Sequence, residues 1–216
     1  SGGLVLAIWS LVNPGDEVTI LDISLDKNRD SLVDLLSAGA RVRYVDHHFP
    51  GDIPQHERLI THINTDAETC TGMIVNDILG GAHLPWAVTA AFVDNLLSTG
   101  TKAAEPLNLA SSELEQLKTL GTLLNYNGYG SRLDDLFFPP ADLYQRVKPH
   151  TNPFTFINED DAFKTLSEGF SSDHQRAQSI PAERSTPAIA IFVFPNDPFA
   201  RRISGVYANE LAQQHP

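Results

Sequence analysis

EVTILD (residues 17–22) and RVRYVD (residues 41–46) are two short runs of β-branched, aromatic and aliphatic residues that each end in an aspartate. A turn-forming stretch, rich in Asn, Pro and Gly, precedes the first run at residues 13–16. Runs of this kind, bounded by turn residues, are typical of buried strands. The chain therefore predicts two strands that present Asp22 and Asp46 at their carboxyl ends.

The segment between these strands has the pattern of a helix. Asp26 is of a residue type that caps helices, leucines at helical spacing follow it, and Gly39 is a typical C-terminal stop. Strand, helix and strand in succession predict a βαβ unit with parallel strands and a right-handed crossover. Because ligands bind at the carboxyl edge of such sheets, we expect Asp22 and Asp46 to line one crevice.

The rest of the chain completes an α/β pattern. We predict further strands at residues 59–64 and 188–194, and helices at residues 4–9, 71–79, 86–97, 111–124, 163–170 and 205–213, with Ser111 and Ser112 as cap and first turn. Residues 125–161 are expected to form loops and short helices, and residues 182–187 a linker. The predicted fold is a mostly parallel, Rossmann-like sheet flanked by helices, with a helical extension and the start of a second α/β domain.

Composition limits the possible partners. The chain has 216 residues and a formal net charge of −12, which argues against general binding to duplex DNA because DNA is itself anionic. No apolar stretch approaches the length of a membrane-spanning helix. The single cysteine, Cys70, cannot form an internal disulfide, which fits a reducing cytoplasm. We therefore expect a cytoplasmic protein with neither a membrane nor duplex DNA as its partner.

The most informative motif is Asp46-His47-His48, which directly follows the second predicted strand. Adjacent residues of an extended chain point in different directions, so one imidazole can face a metal ion while the next faces a substrate. Asp46 can orient an imidazole by accepting its second N–H. The alternative is a pair of solvated loop histidines beside a capping aspartate. The strand context and the Asp22 partner favour the metal site.

Two further aspartates are candidate ligands. Asp94 follows the apolar run at residues 90–93, where a buried carboxylate is costly unless it is paired or binds a metal. The simpler alternatives are a turn residue for Asp22 and an exposed helix face for Asp94. Carboxylates and imidazoles suit Mn²⁺ or Mg²⁺, and two such ions would activate water for displacement at phosphorus. Asp22, Asp94 and one imidazole of the His47-His48 pair are therefore candidate metal ligands.

Candidate substrate contacts are Thr71 and Arg202. Thr71 lies in the sequence Cys70-Thr71-Gly72 at a predicted helix start, where backbone N–H groups can bind a phosphate. The alternative for Thr71 is an ordinary helix cap. Arg202 can pair with phosphate oxygens, although exposed arginines often have no such role.

At this point the motifs resemble those of a known family. VDHHFPG (residues 45–51) is similar to the signature of the DHH phosphoesterases, Leu21-Asp22 to the second motif of the family and Asp94 to its fourth. Residues 22–29 resemble a bacterial branch of the family. Residues 202–212 resemble the entry to the DHH-associated substrate domain. The resemblance covers nearly the whole chain.

The resemblance implies a role for each of these residues. Asp22 would bridge two Mn²⁺ ions, with His47 and Asp94 as further ligands. His48 would contact the scissile phosphate, and Asp46 would support the imidazoles. The activity implied is two-metal hydrolysis of phosphodiester or phosphomonoester bonds in short oligonucleotides or small nucleotides.

The family pattern also has parts that this chain lacks. The first motif, an Asp-x-Asp after an N-terminal strand, is missing, and so is the Gly-rich, His-bearing stretch of the second domain. We expect the chain to be a piece of a longer protein that by itself holds at most a partial metal site. The expected domains are a DHH domain at residues 1–187 and the first element of a substrate domain at residues 188–216. Two alternatives remain: an exopolyphosphatase or pyrophosphatase acting on polyphosphate, and a non-catalytic nucleotide-binding module. All of these interpretations are compatible with a homodimer.

Overall fold

The computed structural model describes residues 12–186 and 189–214. It is an α/β structure with a three-stranded parallel sheet and several helices. The helix predicted at residues 4–9 lies outside the described residues.

The parallel sheet contains β1 (Glu17–Leu21), β2 (Arg41–Asp46) and β3 (Leu59–Ile63), in the order β1-β2-β3. All three strands were predicted to within one residue. β1 and β2 are parallel with Leu21 opposite Val45, and β2 and β3 are parallel with Asp46 opposite Ile63. This register brings the carboxyl ends of β1 and β2 to the same edge of the sheet.

Helix α1 (Leu25–Ser37) connects β1 to β2. It begins two residues earlier than predicted: Ser24 is the N-cap, and Asp26 lies in the first turn. Gly39 ends the helix as expected, because its φ of +97° is a conformation that glycine adopts without steric cost. The amide N–H groups of Gly39 and Ala40 donate to the carbonyls of Leu36 and Leu35, so the last turn is closed by hydrogen bonds.

The core of this region forms between α1 and one face of the sheet. Alternate residues of β2, including Val42 and Tyr44, point to this face and are buried. They pack against the leucines of α1, of which Leu32 and Leu35 are among the most buried. Each such leucine contributes about 1.5–3 kcal/mol of hydrophobic stabilisation. This packing holds the strand ends in place.

Three short helices follow the sheet: α2 (Thr71–Ile78), α3 (Leu84–Val93) and α4 (Leu97–Ala104). The helix predicted at residues 86–97 is therefore wrong at its C-terminal end, because the helix ends at Val93 and Asn95 has a φ of +60°. α2 and α3 approach closely at Gly72, where an added Cβ would lie 2.4 Å from the Cβ of Ala90. α2 also packs against β2.

The chain divides into two compact units. The first contains residues 12–91 together with Leu96–Pro106, and the second contains Phe92–Asn95 together with the described residues from Leu107 onward. The domain boundary expected near residue 187 concerns a substrate domain and stays a prediction.

The second unit is helical. Its longer helices are α5 (Ser111–Tyr126), α6 (Pro140–Val147), α7 (Pro153–Glu159), α8 (Asp161–Gln178) and α9 (Pro198–Gln214). The loops and short helices expected at residues 125–161 are confirmed. Ser111 is the first residue of α5 and not its cap, and the Ala110 N–H instead donates to the Glu113 carboxylate at 2.7 Å. α9 packs against α8 and buries Phe199 and Ile203 with Tyr126.

The strand predicted at residues 188–194 is largely wrong. Within its described part, only β5 (Ala190–Ile191) is a strand, and it pairs antiparallel with β4 (Arg184–Ser185). Ile189 and Val193 are exposed. A continuous apolar run favours an extended chain, but a longer strand needs a neighbour along its whole length. The described residues provide two paired positions.

No helix in the described part of the chain is both long and apolar enough to cross a membrane.

Candidate metal centre

Four side chains converge at the carboxyl edge of the parallel sheet. Asp22 follows β1, Asp46 ends β2, and His47 and His48 continue from β2. Each offers one potential ligand atom, and these four atoms all lie within 4.8 Å of one another. The convergence of Asp22 and Asp46 follows from the register, since Leu21 lies opposite Val45. We refer to these four residues as the Asp-His cluster.

Asp22 turns the chain away from the sheet. Its φ is +59°, in the left-handed region that non-glycine residues adopt infrequently but that aspartate tolerates. Its N–H still donates to the carbonyl of Val45 at 3.1 Å, so the backbone is tied to β2. The hydroxyl of Thr71, at the start of α2, donates to Asp22 Oδ1 at 2.8 Å. The carboxylate is thus oriented from two sides while its side chain stays half-exposed.

The hydrogen bonds of His47 determine its tautomer. Its Nδ1 lies 3.0 Å from the carbonyl oxygen of Thr69. A carbonyl can only accept, so Nδ1 carries the proton, and in the neutral ring Nε2 carries the lone pair. Nε2 lies 3.4 Å from Asp22 Oδ1. Two electron-rich atoms that face each other in this way favour a shared proton or a cation between them.

Asp46 is fully buried, and its two oxygens differ. Oδ1 accepts from the backbone N–H of His47 at 2.8 Å and lies 2.7 Å from Nδ1 of His48. Oδ2 is buried and has no hydrogen-bond partner among the described residues. A buried carboxylate oxygen without a partner is costly, whereas a bound cation would compensate it.

His48 is held by Asp46 and is the more exposed of the two imidazoles. Because the Asp46 carboxylate accepts from Nδ1, the opposite nitrogen, Nε2, remains available to a bound molecule. The rings of His47 and His48 meet edge to face, with their centroids 4.6 Å apart. The adjacent imidazoles thus have different hydrogen-bond partners, the Thr69 carbonyl for His47 and the Asp46 carboxylate for His48.

The electrostatics of the cluster leave negative charge uncompensated. The ion-pair partners of Asp22 and Asp46 among the described residues are imidazoles. Burial raises the pKa of the Tyr44 phenol well above its usual range, and the negative charge of Asp46 raises it further. Tyr44 is therefore neutral and donates its proton to the carbonyl of Ile23 at 2.6 Å.

The donor set fits a hard or borderline divalent cation. Carboxylates together with a neutral imidazole are ligands that Mn²⁺ accepts, and carboxylates also suit Mg²⁺. Two adjacent ligands at about 2.1 Å from one octahedral ion are about 3 Å apart. The 3.4 Å between His47 Nε2 and Asp22 Oδ1 is close to this spacing. With the unpartnered oxygen of Asp46, the residues present fit a metal ion.

Three further residues were predicted to belong to the site: Asp94, Arg202 and Thr71. Asp94 falls in the segment Phe92–Asn95 of the second unit and is not a member of the Asp-His cluster, so its role as a ligand stays a prediction. Arg202 lies on α9 in the second unit, where its guanidinium donates to Asp173 at 2.8 Å and also contacts the hydroxyl of Tyr126. These partners hold the guanidinium within the protein, and a role of Arg202 in substrate binding stays a prediction. Thr71 contacts Asp22, and its binding of substrate stays a prediction.

Sequence patterns did not indicate two supports of the cluster. One is the carbonyl of Thr69, which orients His47 across 22 positions of the sequence. The other is the loop after His48, where Arg29 donates to the carbonyl of Pro50 at 3.2 Å. Every residue has a backbone carbonyl, so residue type does not indicate which carbonyl will accept a hydrogen bond from His47. The glycine at position 51 was the one available signal, since its φ is +58°.

Comparisons with protein-family models, with curated proteins and with solved structures found no match to this chain.

Proposed function

We propose that this protein is a metal-dependent phosphoester hydrolase of the DHH type, with Mn²⁺ as its preferred ion and short oligonucleotides or small nucleotides as its substrates. The observation that carries the proposal is the Asp-His cluster, whose four ligand atoms lie within 4.8 Å at the carboxyl edge of a parallel sheet. The resemblance of residues 45–51 to the DHH signature supports the same activity and a Rossmann-like fold.

Asp22 and His47 are the best-placed ligands of the cluster. Thr71 and Thr69 orient them so that Oδ1 and Nε2 face each other at 3.4 Å. Asp46 adds a fully buried carboxylate with one ligand atom within 4.8 Å of the others. A bound divalent ion would supply a Lewis acid for a phosphoryl oxygen and lower the pKa of a bound water. The resemblance implies two ions in the complete protein.

His48 is the residue that would meet the phosphate. Its Nδ1 proton is held by Asp46, so a protonated ring would present its Nε2–H outward to a phosphoryl oxygen. The half-exposed side chain of His48 leaves this nitrogen accessible.

The charge of the chain favours small substrates. A formal net charge of −12 opposes the approach of a long polyanion, and this repulsion grows with the number of phosphates in contact. A substrate with one or two phosphates can be held locally by a cation and His48. Short substrates are therefore more compatible with the chain than long duplexes.

The test combines metal binding with turnover. Mn²⁺ is titrated by calorimetry into the wild-type chain and into His47→Ala, and hydrolysis of a short oligonucleotide and of a chromogenic phosphodiester is followed in parallel. We expect Mn²⁺ binding and turnover in the wild type, and loss of both in His47→Ala. His83→Ala is the matched control because His83 is an exposed histidine of the same unit.

Four results would contradict the proposal. Turnover that survives His47→Ala would show that the reaction does not use this cluster. Failure of the wild type to bind Mn²⁺ or Mg²⁺ would remove the metal site. Metal and nucleotide binding without turnover would favour the non-catalytic module, and turnover of polyphosphate alone would favour an exopolyphosphatase or pyrophosphatase.

A further inference from the structure

Phe49 is an exposed aromatic residue beside the Asp-His cluster. It directly follows His48, so the Cα atoms of the two residues are about 3.8 Å apart. Its side chain is 76% exposed, the largest exposed fraction among the large hydrophobic residues of the described chain. Unlike an exposed leucine or valine, an exposed phenylalanine presents a flat π-face.

The backbone that carries Phe49 is held in place from behind. Gly51 has a φ of +58°, and a Cβ at this position would lie 2.4 Å from both Asp26 Oδ1 and Arg29 Nη2. Arg29 donates to Asp26 at 3.0 Å and to the carbonyl of Pro50 at 3.2 Å. The loop therefore rests against the first turn of α1. Because the backbone around Phe49 is already held in place, little backbone conformational entropy is lost when the ring binds a flat partner.

Stacking is the interaction that such a ring offers to a substrate. A nucleobase stacks on an exposed aromatic side chain with little dependence on its identity, because every base has a π-face. We propose that Phe49 is the base-stacking platform of this site and that the substrate class is nucleoside phosphates, not polyphosphate. This inference rests on the proposed function, since the phosphate of the same molecule would be held at the Asp-His cluster.

The position of Phe49 in the chain supports a specificity role. His48, the residue proposed to meet the phosphate, and Phe49 are adjacent, so one short molecule with a phosphate and a base could contact both. Polyphosphate has no aromatic group and would gain nothing from the ring. A phenylalanine at this position therefore separates two substrate classes that the metal cluster alone treats alike.

The test compares substrates that differ only in the base. A dinucleotide and its abasic counterpart, which has the same phosphodiester, are hydrolysed by the wild type and by Phe49→Ala, Phe49→Leu and Phe49→Tyr. We expect the preference for the dinucleotide, measured as the ratio of kcat/KM values, to fall about tenfold in Phe49→Ala and Phe49→Leu. Phe49→Tyr should keep the preference because it retains the π-face. Tyr144→Ala, at an exposed aromatic of the second unit, is the control.

A binding measurement separates the failure of this inference from that of the proposed function. Affinity for a nucleoside monophosphate and for ribose 5-phosphate is measured by calorimetry, with and without Mn²⁺. Weaker binding of the nucleotide alone in Phe49→Ala supports stacking even without turnover. An unchanged preference in Phe49→Ala overturns the stacking role and leaves the hydrolase intact. If the wild type hydrolyses neither dimer and binds no Mn²⁺, the proposed function is overturned.

Discussion

Each of the two units contains buried charged groups, and the two sets differ in how their charge is balanced. In the second unit, Asp173 accepts from Arg202 at 2.8 Å, and Asp135 forms two hydrogen bonds with Arg201 at 2.7 and 2.9 Å. In the first unit, the ion-pair partners of Asp22 and Asp46 within the described chain are imidazoles. In the first unit, one oxygen of Asp46 has no hydrogen-bond partner within the described chain. In the second unit, arginine side chains satisfy the carboxylates.

This difference separates a structural network from a binding site. A buried carboxylate paired with arginine has its charge compensated within the protein and needs no ligand. A buried carboxylate with an unpartnered oxygen retains capacity for a cation. Substitutions should therefore destabilise the second unit when they break a pair, and should weaken metal binding in the first unit with little loss of stability.

The largest effect is expected at Asp173. Asp173→Ala leaves the guanidinium of Arg202, which is 12% exposed, without its carboxylate. We expect the free energy of unfolding to fall by about 3–5 kcal/mol in urea denaturation. Glu168→Ala, in the exposed pair with Lys164, is the control and should cost less than about 1 kcal/mol. An equal loss in both variants would show that the Arg202 network is not a buried structural pair.

A smaller but diagnostic effect is expected at Asp46. Asp46→Asn keeps an acceptor for His48 but removes the buried charge, and we expect the affinity for Mn²⁺ to fall about 100-fold. Without metal, the variant should be as stable as the wild type or more stable, because an uncompensated buried charge is gone. Calorimetry and urea denaturation in the presence of a chelator measure the two quantities. Asp52→Asn, at an exposed acid nearby in sequence, is the control.

A loss of metal-free stability in Asp46→Asn as large as that in Asp173→Ala would contradict the comparison. It would mean that Asp46 is compensated within the protein after all.

Thr71 tests the orientation of a ligand. Thr71→Val removes the hydroxyl that donates to Asp22 at 2.8 Å, and we expect about tenfold weaker Mn²⁺ binding. Thr71→Ser keeps the hydroxyl and should bind Mn²⁺ like the wild type. If Thr71 instead binds substrate, Thr71→Val should raise KM and leave the Mn²⁺ affinity unchanged. Calorimetry and steady-state kinetics on the same samples distinguish the two roles.

The last prediction concerns the shape of the pH dependence of stability, which is a smaller signal than the losses above. Hydrogen bonds from Arg201 hold the pKa of Asp135 well below its usual range, and N–H groups of Ser131 and Arg132 add to this. The stability contributed by Asp135 is therefore fully present above the ordinary aspartate pKa of about 4 and is lost as the pH falls towards its lower folded-state pKa. Arg201→Met should show a shallower loss of unfolding free energy in this acidic range. Identical pH profiles would contradict the role of Arg201.

Strands and loop signals were predictable wherever the determining interactions are local. The runs at residues 17–22 and 41–46 alternate with the period of a strand, and Gly39 ends α1 because glycine adopts a positive φ without steric cost. Helix starts were less predictable, since Ser24 and not Asp26 precedes α1. The strand expected at residues 188–194 was wrong because pairing depends on a neighbouring strand, which local preference does not supply.

Local patterns were enough to indicate two parallel strands that end in aspartate, a pair of histidines at the mouth of the second strand, and a metal as the chemistry that these side chains suit. Three-dimensional packing was needed to show which atoms face one another. The carbonyl of Thr69 assigns the tautomer of His47 from 22 residues away, and the hydroxyl of Thr71 orients Asp22 from 49 residues away. Side-chain type follows from the sequence, but hydrogen bonds between distant residues form only when the register of β1 and β2 and the packing of α2 bring them within reach.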